Sequence, residues 1–276
     1  MTKVFMLALS GMMVALSADT PVAFKDANLA AAAPQYLPVQ GPAGPSTGPL
    51  TEDQAPKVLL LRTETQIRDL SGIEKLTHLR FLYIEKSEIS DLRPLAGLTD
   101  LESITIKGGS IQDLTPLANL KNLTWVALSG NQIQDVKPLS GLTGLQNLDL
   151  SYNRIEDLGP LSSLTNLESL RLAGNQVANL TPVASLTKLH RLDLTKNRVK
   201  DIDPLKSLAG FTEINLDNNQ VTDVKPLIEL LRPDPAKPQV VVPFRSVSLK
   251  GNPLSATAKT TDVPALEKLV GIVTVN

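Results

Sequence analysis

From residue 57 onward, aliphatic and polar residues follow a unit that repeats every 22 residues. The leading leucine recurs at positions 76, 98, 120, 142, 164, 186, 208 and 230, and a proline recurs at positions 94, 116, 138, 160, 182, 204 and 226. Two residue types that keep one period over seven units are typical of a repeat protein. The pattern therefore predicts a solenoid, in which each unit contacts only its neighbours.

The first half of each unit reads L-x-x-L-x-L-x-x-N, as in Leu123, Val126, Leu128 and Asn131. Its x-L-x-L-x part has a period of two, which predicts a short strand with aliphatic residues inward and the residues between them outward. Successive units should therefore build one parallel sheet.

A column of inward asparagines is predicted at the end of the strands. An asparagine can satisfy buried backbone groups where the chain leaves the strand, which an apolar residue cannot do. Ser87 and Gly109 stand at this position in the early units, so we expect a weaker column there. The predicted column is Asn131, Asn153, Asn175, Asn197, Asn219 and Asn252.

The second half of each unit reads I-x-D-L-x-P-L. Aspartate stands at positions 91, 113, 135, 157, 201 and 223, and Asn179 replaces it once. These residues cap the start of a helical turn, and proline is tolerated in a first turn. Short 3₁₀-like turns are therefore predicted on the side opposite the sheet.

The chain before the repeats predicts export. Residues 1–18 combine Lys3, an uncharged apolar run and the small residues Ala15 and Ser17, which is typical of a secretory signal peptide. Residues 19–56 are rich in alanine and proline and predict a disordered linker, with no long helical cap before the repeats. The predicted location is therefore secreted, periplasmic or associated with the cell surface.

The repeats are predicted over residues 57–265, with an insertion at about 231–241 and a capping helix and strand over 262–276. In the first unit, the alignment places Leu60 inward and Arg62 at an aliphatic position. A terminal strand tolerates such an arginine because one of its sides is open to solvent.

The whole unit, L-x-x-L-x-L-x-x-N-x-I-x-D-x-x-P-L, resembles the internalin-like class of leucine-rich repeat proteins, which are bacterial cell-surface proteins. The resemblance covers nearly all of residues 57–276. It implies an α/β solenoid, a curved right-handed superhelix with one parallel sheet on the concave face and short 3₁₀ turns on the convex face. It also implies a protein-binding module that is not an enzyme. Two alternatives are a structural scaffold without a specific ligand and an intracellular subunit similar to phosphatase regulators with 22-residue repeats.

The amino-acid composition argues against several classes of partner and of chemical site. With 27 Lys+Arg against 28 Asp+Glu, nucleic acid is not an expected partner. The absence of cysteine and the presence of only two histidines, His78 and His190, argue against metal sites, cofactors and catalytic triads. Asp149 and Asp193 could form a pair of carboxylates, but Arg171 between them would keep both ionised on an open sheet.

Outward aromatic residues mark the predicted binding surface. Phe81, Tyr83 and Trp125 are predicted to form an apolar anchor, with a shallow notch over Ser103. A rim of mixed charge is predicted to orient the partner, and it consists of Arg171, Arg191, Asp193 and Glu213. Cross-strand ion pairs are the alternative explanation of that rim. The expected partner is a protein, with a glycan as the second choice, bound to a monomer without a membrane span once the signal is cleaved.

Overall fold

A computed structural model describes residues 20–38, 48–208, 210–231 and 245–275. The predicted signal peptide over 1–18 lies outside these ranges, as does nearly all of the predicted insertion at 231–241. Ten strands form one sheet in which they follow each other in sequence order and all pairs are parallel. The strands are β1 Leu60–Thr63, β2 Phe81–Ile84, β3 Ser103–Ile106, β4 Trp125–Ala127, β5 Asn147–Asp149, β6 Ser169–Arg171, β7 Arg191–Asp193, β8 Glu213–Asn215, β9 Ser246–Ser248 and β10 Ile272–Thr274.

Short 3₁₀ turns return the chain from one strand to the next. They span Ile73–Lys75, Arg93–Leu95, Thr115–Leu117, Lys137–Leu139, Gly159–Ser163, Thr181–Ser185 and Asp203–Ser207. In the turns from Arg93 onward a proline stands at the start, and the preceding Asp or Asn side chain accepts a backbone hydrogen bond. For example, Asp113 Oδ1 accepts from the Thr115 N–H at 2.8 Å. The predicted leucine-rich repeat solenoid is confirmed.

The inward positions form one continuous apolar core that runs from Val22 to Val270. Leu123, Val126 and Leu128 are completely buried, as the alternation within the strand predicts. Because every unit places its aliphatic side chains against those of the next unit, the core has no internal boundary.

The inward asparagines bind the ends of the strands to one another. Asn153 is 8 % exposed, and its Oδ1 accepts from the Ile133 N–H at 3.0 Å. Its Nδ2 donates to the carbonyls of Leu128 at 3.0 Å and Leu150 at 2.9 Å. The same three bonds recur at Asn131, Asn175, Asn197, Asn219 and Asn252.

A folded cap covers the first unit, so the prediction of a disordered linker over 19–56 is wrong for residues 20–38 and 48–56. Helix α1 spans Ala27–Ala32, and a 3₁₀ turn follows over Ala33–Tyr36. Within the cap, Leu29 and Ala33 are completely buried. Composition alone failed here because the open end of the core supplies the apolar surface that this short, alanine-rich segment needs in order to fold.

Polar contacts hold the cap in place. Asp26 Oδ1 accepts from the N–H groups of Asn28 and Leu29, which caps α1. Its other oxygen, Oδ2, accepts from the Arg68 N–H at 2.7 Å in the first unit. The Tyr36 hydroxyl donates to the Arg62 carbonyl of β1 at 2.9 Å. The cap is therefore tied to the first unit just before α1 and again at the end of the 3₁₀ turn that follows α1.

The first unit has a different phase from the one predicted. Leu61 and Thr63 point inward and are 0 % and 6 % exposed, whereas Arg62 is exposed on the outward side opposite Tyr83. The prediction that Leu60 lies inward is therefore wrong. Leu61 pairs with Leu82 at a spacing of 21 residues instead of 22, which moves every side chain of β1 to the other side.

At the other end, α2 spans Lys225–Leu231 in place of a 3₁₀ turn. A π-helical turn over Ala258–Asp262 leads into α3, Val263–Glu267, and β10 is the last strand of the sheet. Among the helices in the described part of the chain, none combines the length and the apolar character that crossing a membrane requires.

Candidate functional site

The three predicted aromatic anchors lie on neighbouring strands of the concave face. The register places Phe81, Ser103 and Trp125 in one column, across β2, β3 and β4. Tyr83 lies in the next column. Trp125 is 40 % exposed, whereas Phe81 and Tyr83 are half-buried.

Ser103 is 6 % exposed between the two larger residues of its column, and the notch over it stays a prediction. An opening that Ser103 does not line extends over the neighbouring column. A hollow of about 330 Å³, here called the concave hollow, is lined by Tyr83, Glu85, Thr105, Lys107, Trp125, Ala127, Asp149 and Arg171. Thr105 and Ala127 are almost fully buried, at 5 % and 4 % exposure. The hollow therefore has a floor of small residues, with two aromatic and four charged side chains around it.

Glu85 and Lys107 line the concave hollow, although the sequence analysis did not select them. Lys107 Nζ lies 2.7 Å from Glu85 Oε2, so the two charges neutralise each other at this edge. Both residues follow directly after the last inward residue of their strand. Continuing the alternation by one step beyond Ile84 and Ile106 would have found them.

The charged rim does not form the cross-strand ion pairs that were the alternative explanation. Arg171 lies opposite Asp149 and Asp193 in register, and Arg191 lies opposite Glu213. Yet across the described ranges no carboxylate oxygen comes within 4.0 Å of the Arg171 or Arg191 guanidinium; the arginine ion pairs there involve Arg62, Arg68, Arg80 and Arg93.

The carboxylates beside Arg171 are used within their own turns. Asp193 Oδ1 accepts from the Thr195 N–H at 3.0 Å and from the Thr195 hydroxyl at 2.6 Å. Asp149 Oδ1 accepts from the Ser151 N–H at 3.0 Å. These short local bonds point both carboxylates along the chain, so Arg171 stands between two acidic residues without forming an ion pair with either.

The other polar residues do not converge on a reaction centre. His78 Nδ1 lies 2.8 Å from Asp100 Oδ2 on the surface, far along the chain from His190. No cluster of three or more His, Asp or Glu side chains within the described ranges could hold a metal ion. Asp149 and Asp193 stand on strands that flank Arg171 on an open sheet. The concave face presents a hollow with exposed aromatic area and charged side chains.

Comparison with known proteins agrees with this architecture. The family described as Leucine Rich repeats (2 copies) matches residues 121–163, 143–185 and 187–229. Among curated protein sequences, none matches the chain.

Several solved structures are similar. Internalin C2 of Listeria monocytogenes is 34 % identical, with a TM-score of 0.70, and the match covers 78 % of this chain and 95 % of that one. Another internalin of the same species, InlF, is 23 % identical with a TM-score of 0.51 and coverages of 95 % and 94 %.

A plant structure shares the fold alone. The leucine-rich repeat ectodomain of an Arabidopsis thaliana membrane receptor kinase, solved in complex with CASPARIAN STRIP INTEGRITY FACTOR 2, is 18 % identical. Its TM-score is 0.62, and the match covers 74 % of this chain and 26 % of that one.

The similarity to internalin C2 includes the sequence as well as the fold, because the 34 % identity extends over 95 % of that chain. With the 22-residue unit and the single parallel sheet, it shows that this chain belongs to the internalin family of bacterial leucine-rich repeat proteins.

Proposed function

We propose that the chain is an exported, non-catalytic module that binds a protein on its concave face, with Phe81, Tyr83 and Trp125 as the apolar anchor. The observation that carries the proposal is the position of Trp125. Its side chain lines an open hollow on the sheet and is 40 % exposed, in a chain with only one tryptophan. Exposed aromatic side chains of this kind are enriched at binding hot spots.

The charged rim supports the same surface. Arg171 lines the concave hollow, and Arg191, Asp193 and Glu213 lie on the next two strands. Charges around an apolar centre steer a partner and suppress wrong ones, which affects the association rate more than the affinity. Among the described residues these charges form no cross-strand ion pairs, so pairing within the sheet does not explain the rim, and this favours the binding role.

The test compares an outward residue of β4, Trp125, with an inward residue directly after the end of that strand, Leu128. With a partner obtained by pull-down, Trp125→Ala should weaken binding by about 2 kcal/mol or more. It should lower the free energy of unfolding by only about 1 kcal/mol or less, because no core cavity results. Leu128→Ala should instead lower the free energy of unfolding by about 2–5 kcal/mol, because it empties a fully buried position.

Tyr152→Ala is the matched control, since Tyr152 is 57 % exposed and does not line the concave hollow. Its removal should leave the affinity unchanged. If Trp125→Ala unfolds the protein as severely as Leu128→Ala and leaves the affinity intact, the aromatic residues are structural and the concave face is not the binding surface.

Export is the second part of the proposal, and it rests on the pattern of residues 1–18 and on the resemblance to bacterial cell-surface proteins. Mass spectrometry of the purified protein should show a mature N-terminus close to residue 18. The proposed location is secreted, periplasmic or associated with the cell surface, and the proposed state is a monomer. A cytoplasmic protein that still begins at Met1 or Thr2 would contradict export and support the intracellular alternative.

A further inference from the structure

One column of outward side chains crosses all ten strands of the concave face, and its chemistry changes along the sheet. The register places in this column Leu60, Phe81, Ser103, Trp125, Asn147, Ser169, Arg191, Glu213, Ser246 and Ile272. Over β1 to β4 every member except Ser103 is large and apolar or aromatic, whereas from β5 to β9 every member is polar or charged. The apolar surface therefore begins at the first strand of the sheet, one strand earlier than the aromatic anchor.

Leu60 is the residue that extends this surface. Because the phase of β1 differs by one residue from the predicted one, Leu60 lies on the outward side, opposite Phe81, and is half-buried. Leu59, the residue before it, is 45 % exposed and adds apolar area at the same end of the sheet. We call Leu60, Phe81, Tyr83 and Trp125 the apolar strip. It extends over three strand separations, or about 14 Å between the outermost Cα atoms.

The charged side chains on and beside the apolar strip are paired with one another. Arg62 is the one charged residue at an outward position of β1 to β4, and the other charges lie directly before or after these strands. The pairs are Arg62–Glu64 at 3.1 Å, Arg80–Glu102 at 2.6 Å and Lys107–Glu85 at 2.7 Å. A charged group of a partner that covered the strip would be desolvated without a free counter-charge there, which is unfavourable. The strip therefore favours an uncharged occupant.

The strands beyond β4 differ from the strip. Asp149 and Asp193 lie in register with Arg171, and Arg191 lies in register with Glu213, yet no ion pair forms among them within the described ranges. These unpaired charges are of both signs, so they favour neither an acidic nor a basic occupant. The chemistry of the occupant is therefore inferred from the strip and not from the rim.

Resting on the proposed function above, we propose that the partner docks an uncharged apolar face along the apolar strip, with Leu60 as a fourth anchor at the end next to the cap. One apolar side chain of this face enters the concave hollow beside Trp125, and a second covers Leu60. No charged side chain stands between the two. Burial of apolar area on both partners stabilises the contact, which makes it insensitive to salt.

A random peptide display library, selected against the purified full chain, tests the inference. The selected peptides should share two apolar or aromatic residues within about five positions, since an extended chain advances about 3.3 Å per residue, and no charge should lie between them. In synthetic peptides of the selected sequences, an Asp and a Lys placed between these two residues should each lower the affinity about tenfold or more. Raising the salt concentration from about 50 mM to about 500 mM should change the affinity of the parent peptides by less than about twofold.

Variants of the chain test the role of Leu60. Leu60→Ala should weaken the selected peptides about fivefold or more, and Trp125→Ala about tenfold or more. Leu60→Gln, which keeps the size but loses the apolar character, should weaken them as Leu60→Ala does, whereas Leu60→Met should bind as the wild type does. Thermal unfolding of each variant separates a loss of affinity from a loss of fold.

Ile272→Ala is the matched control. Ile272 is 59 % exposed in the same column as Leu60, but it lies on β10 at the opposite end of the sheet. Its removal takes away a similar apolar side chain outside the apolar strip and should leave the affinity of every selected peptide unchanged.

The remaining outcomes separate this inference from the proposed function. Peptides that depend on Trp125 but not on Leu60, or whose affinity rises with an added charge of either sign, overturn the uncharged face and leave the concave face as the binding surface. A neutral glycan that needs Trp125 but not Leu60 has the same meaning for the uncharged face. Binders that ignore both residues contradict both proposals. A library that yields no binder overturns the uncharged face, while the pull-down with Trp125→Ala still tests the surface.

Discussion

The first three units of the solenoid and those from β4 onward end their strands in different ways. Strands β1 to β3 have four residues each, whereas β4 to β10 have three. In the early units the Ile84 carbonyl accepts from the Lys107 backbone N–H at 3.0 Å. At the same place in the later units, the Leu128 carbonyl accepts from the side-chain amides of Asn131 and Asn153. The carbonyl at this position therefore accepts from a backbone N–H in the early units and from asparagine side chains in the later units.

The backbone donors of the turn show the same division. The Ile133 N–H donates to Asn153 Oδ1, a side chain of the following unit. In the early region the Ile89 N–H donates to Ser87 Oγ at 2.9 Å, within the same unit, because Gly109 in the following unit has no side chain. At this turn the later units are therefore tied to one another through asparagine side chains, whereas the early units are joined through backbone hydrogen bonds such as Lys107 N–H to the Ile84 carbonyl.

Removing one asparagine should have the largest effect. Asn153→Ala leaves the Ile133 N–H buried without a partner and takes one hydrogen bond from each of two carbonyls, so the free energy of unfolding should fall by about 3 kcal/mol. Ser87→Ala, at the equivalent early position, removes one bond at a half-buried site and should cost about 1 kcal/mol. Urea denaturation measures both, and equal losses would contradict the division between the two regions.

Placing an asparagine at position 109, where the later units have one, should destabilise the early region. Gly109 has φ of +104°, and a Cβ atom there would lie 2.6 Å from the Ile89 carbonyl oxygen. Gly109→Asn should therefore lower the free energy of unfolding by about 2 kcal/mol, although asparagine is the usual residue of the column. Gly97→Asn is the control, since a Cβ at Gly97 meets nothing within 4 Å, and it should change stability by less than about 0.5 kcal/mol. An unchanged or raised thermal midpoint for Gly109→Asn would show that the early turn adapts freely.

The paired and unpaired arginines should differ on a smaller scale. Arg80 pairs with Glu102 and lies over the Phe81 ring at 5.3 Å, so Arg80→Ala should cost about 0.5–1 kcal/mol of stability. Arg171→Ala removes no ion pair and should leave thermal unfolding unchanged within about 0.5 kcal/mol. A larger loss for Arg171→Ala would mean that its charge serves the fold rather than binding.

Acid sensitivity gives the smallest expected effect. Hydrogen bonds from the side chain and backbone N–H of Thr115 hold the pKa of Asp113 below its ordinary value. A lowered pKa in the folded state contributes stability above the ordinary pKa of about 4, and this contribution is lost as the pH falls through the folded-state pKa.

Asp113→Asn should therefore change stability at neutral pH by only a few tenths of a kcal/mol and make the loss below about pH 4 shallower. Asn179 accepts the equivalent bond from the Thr181 N–H in a later unit, which shows that the amide fits. Denaturation curves at pH 2–5 measure the slope, and an identical slope for the variant and the wild type would contradict the assignment.

Much of this molecule was predictable from residue spacing. The inward positions, the parallel sheet, the 3₁₀ turns and the repeat class follow from a period that each unit shares with its neighbours. Ser87 and Gly109 also marked in advance the region where the asparagine column is missing. Two errors arose where the period stops. The phase of β1 differs by one residue from the predicted one, and residues 20–38 and 48–56 fold as a cap because they cover an open end of the core.

By itself, the sequence determined which side chains of β2 to β9 point inward, because in a solenoid those contacts involve neighbouring units and depend on one repeated spacing. Only the tertiary structure decided where the concave face is open and which charges are neutralised. Thr105 and Ala127 form the floor of the concave hollow while the similarly buried Ser103 does not line it, and Lys107 is paired while Arg171 is not. These differences depend on distances between side chains of three or more units, and on local turns that take Asp149 and Asp193 away from Arg171. A repeat period carries no information about either.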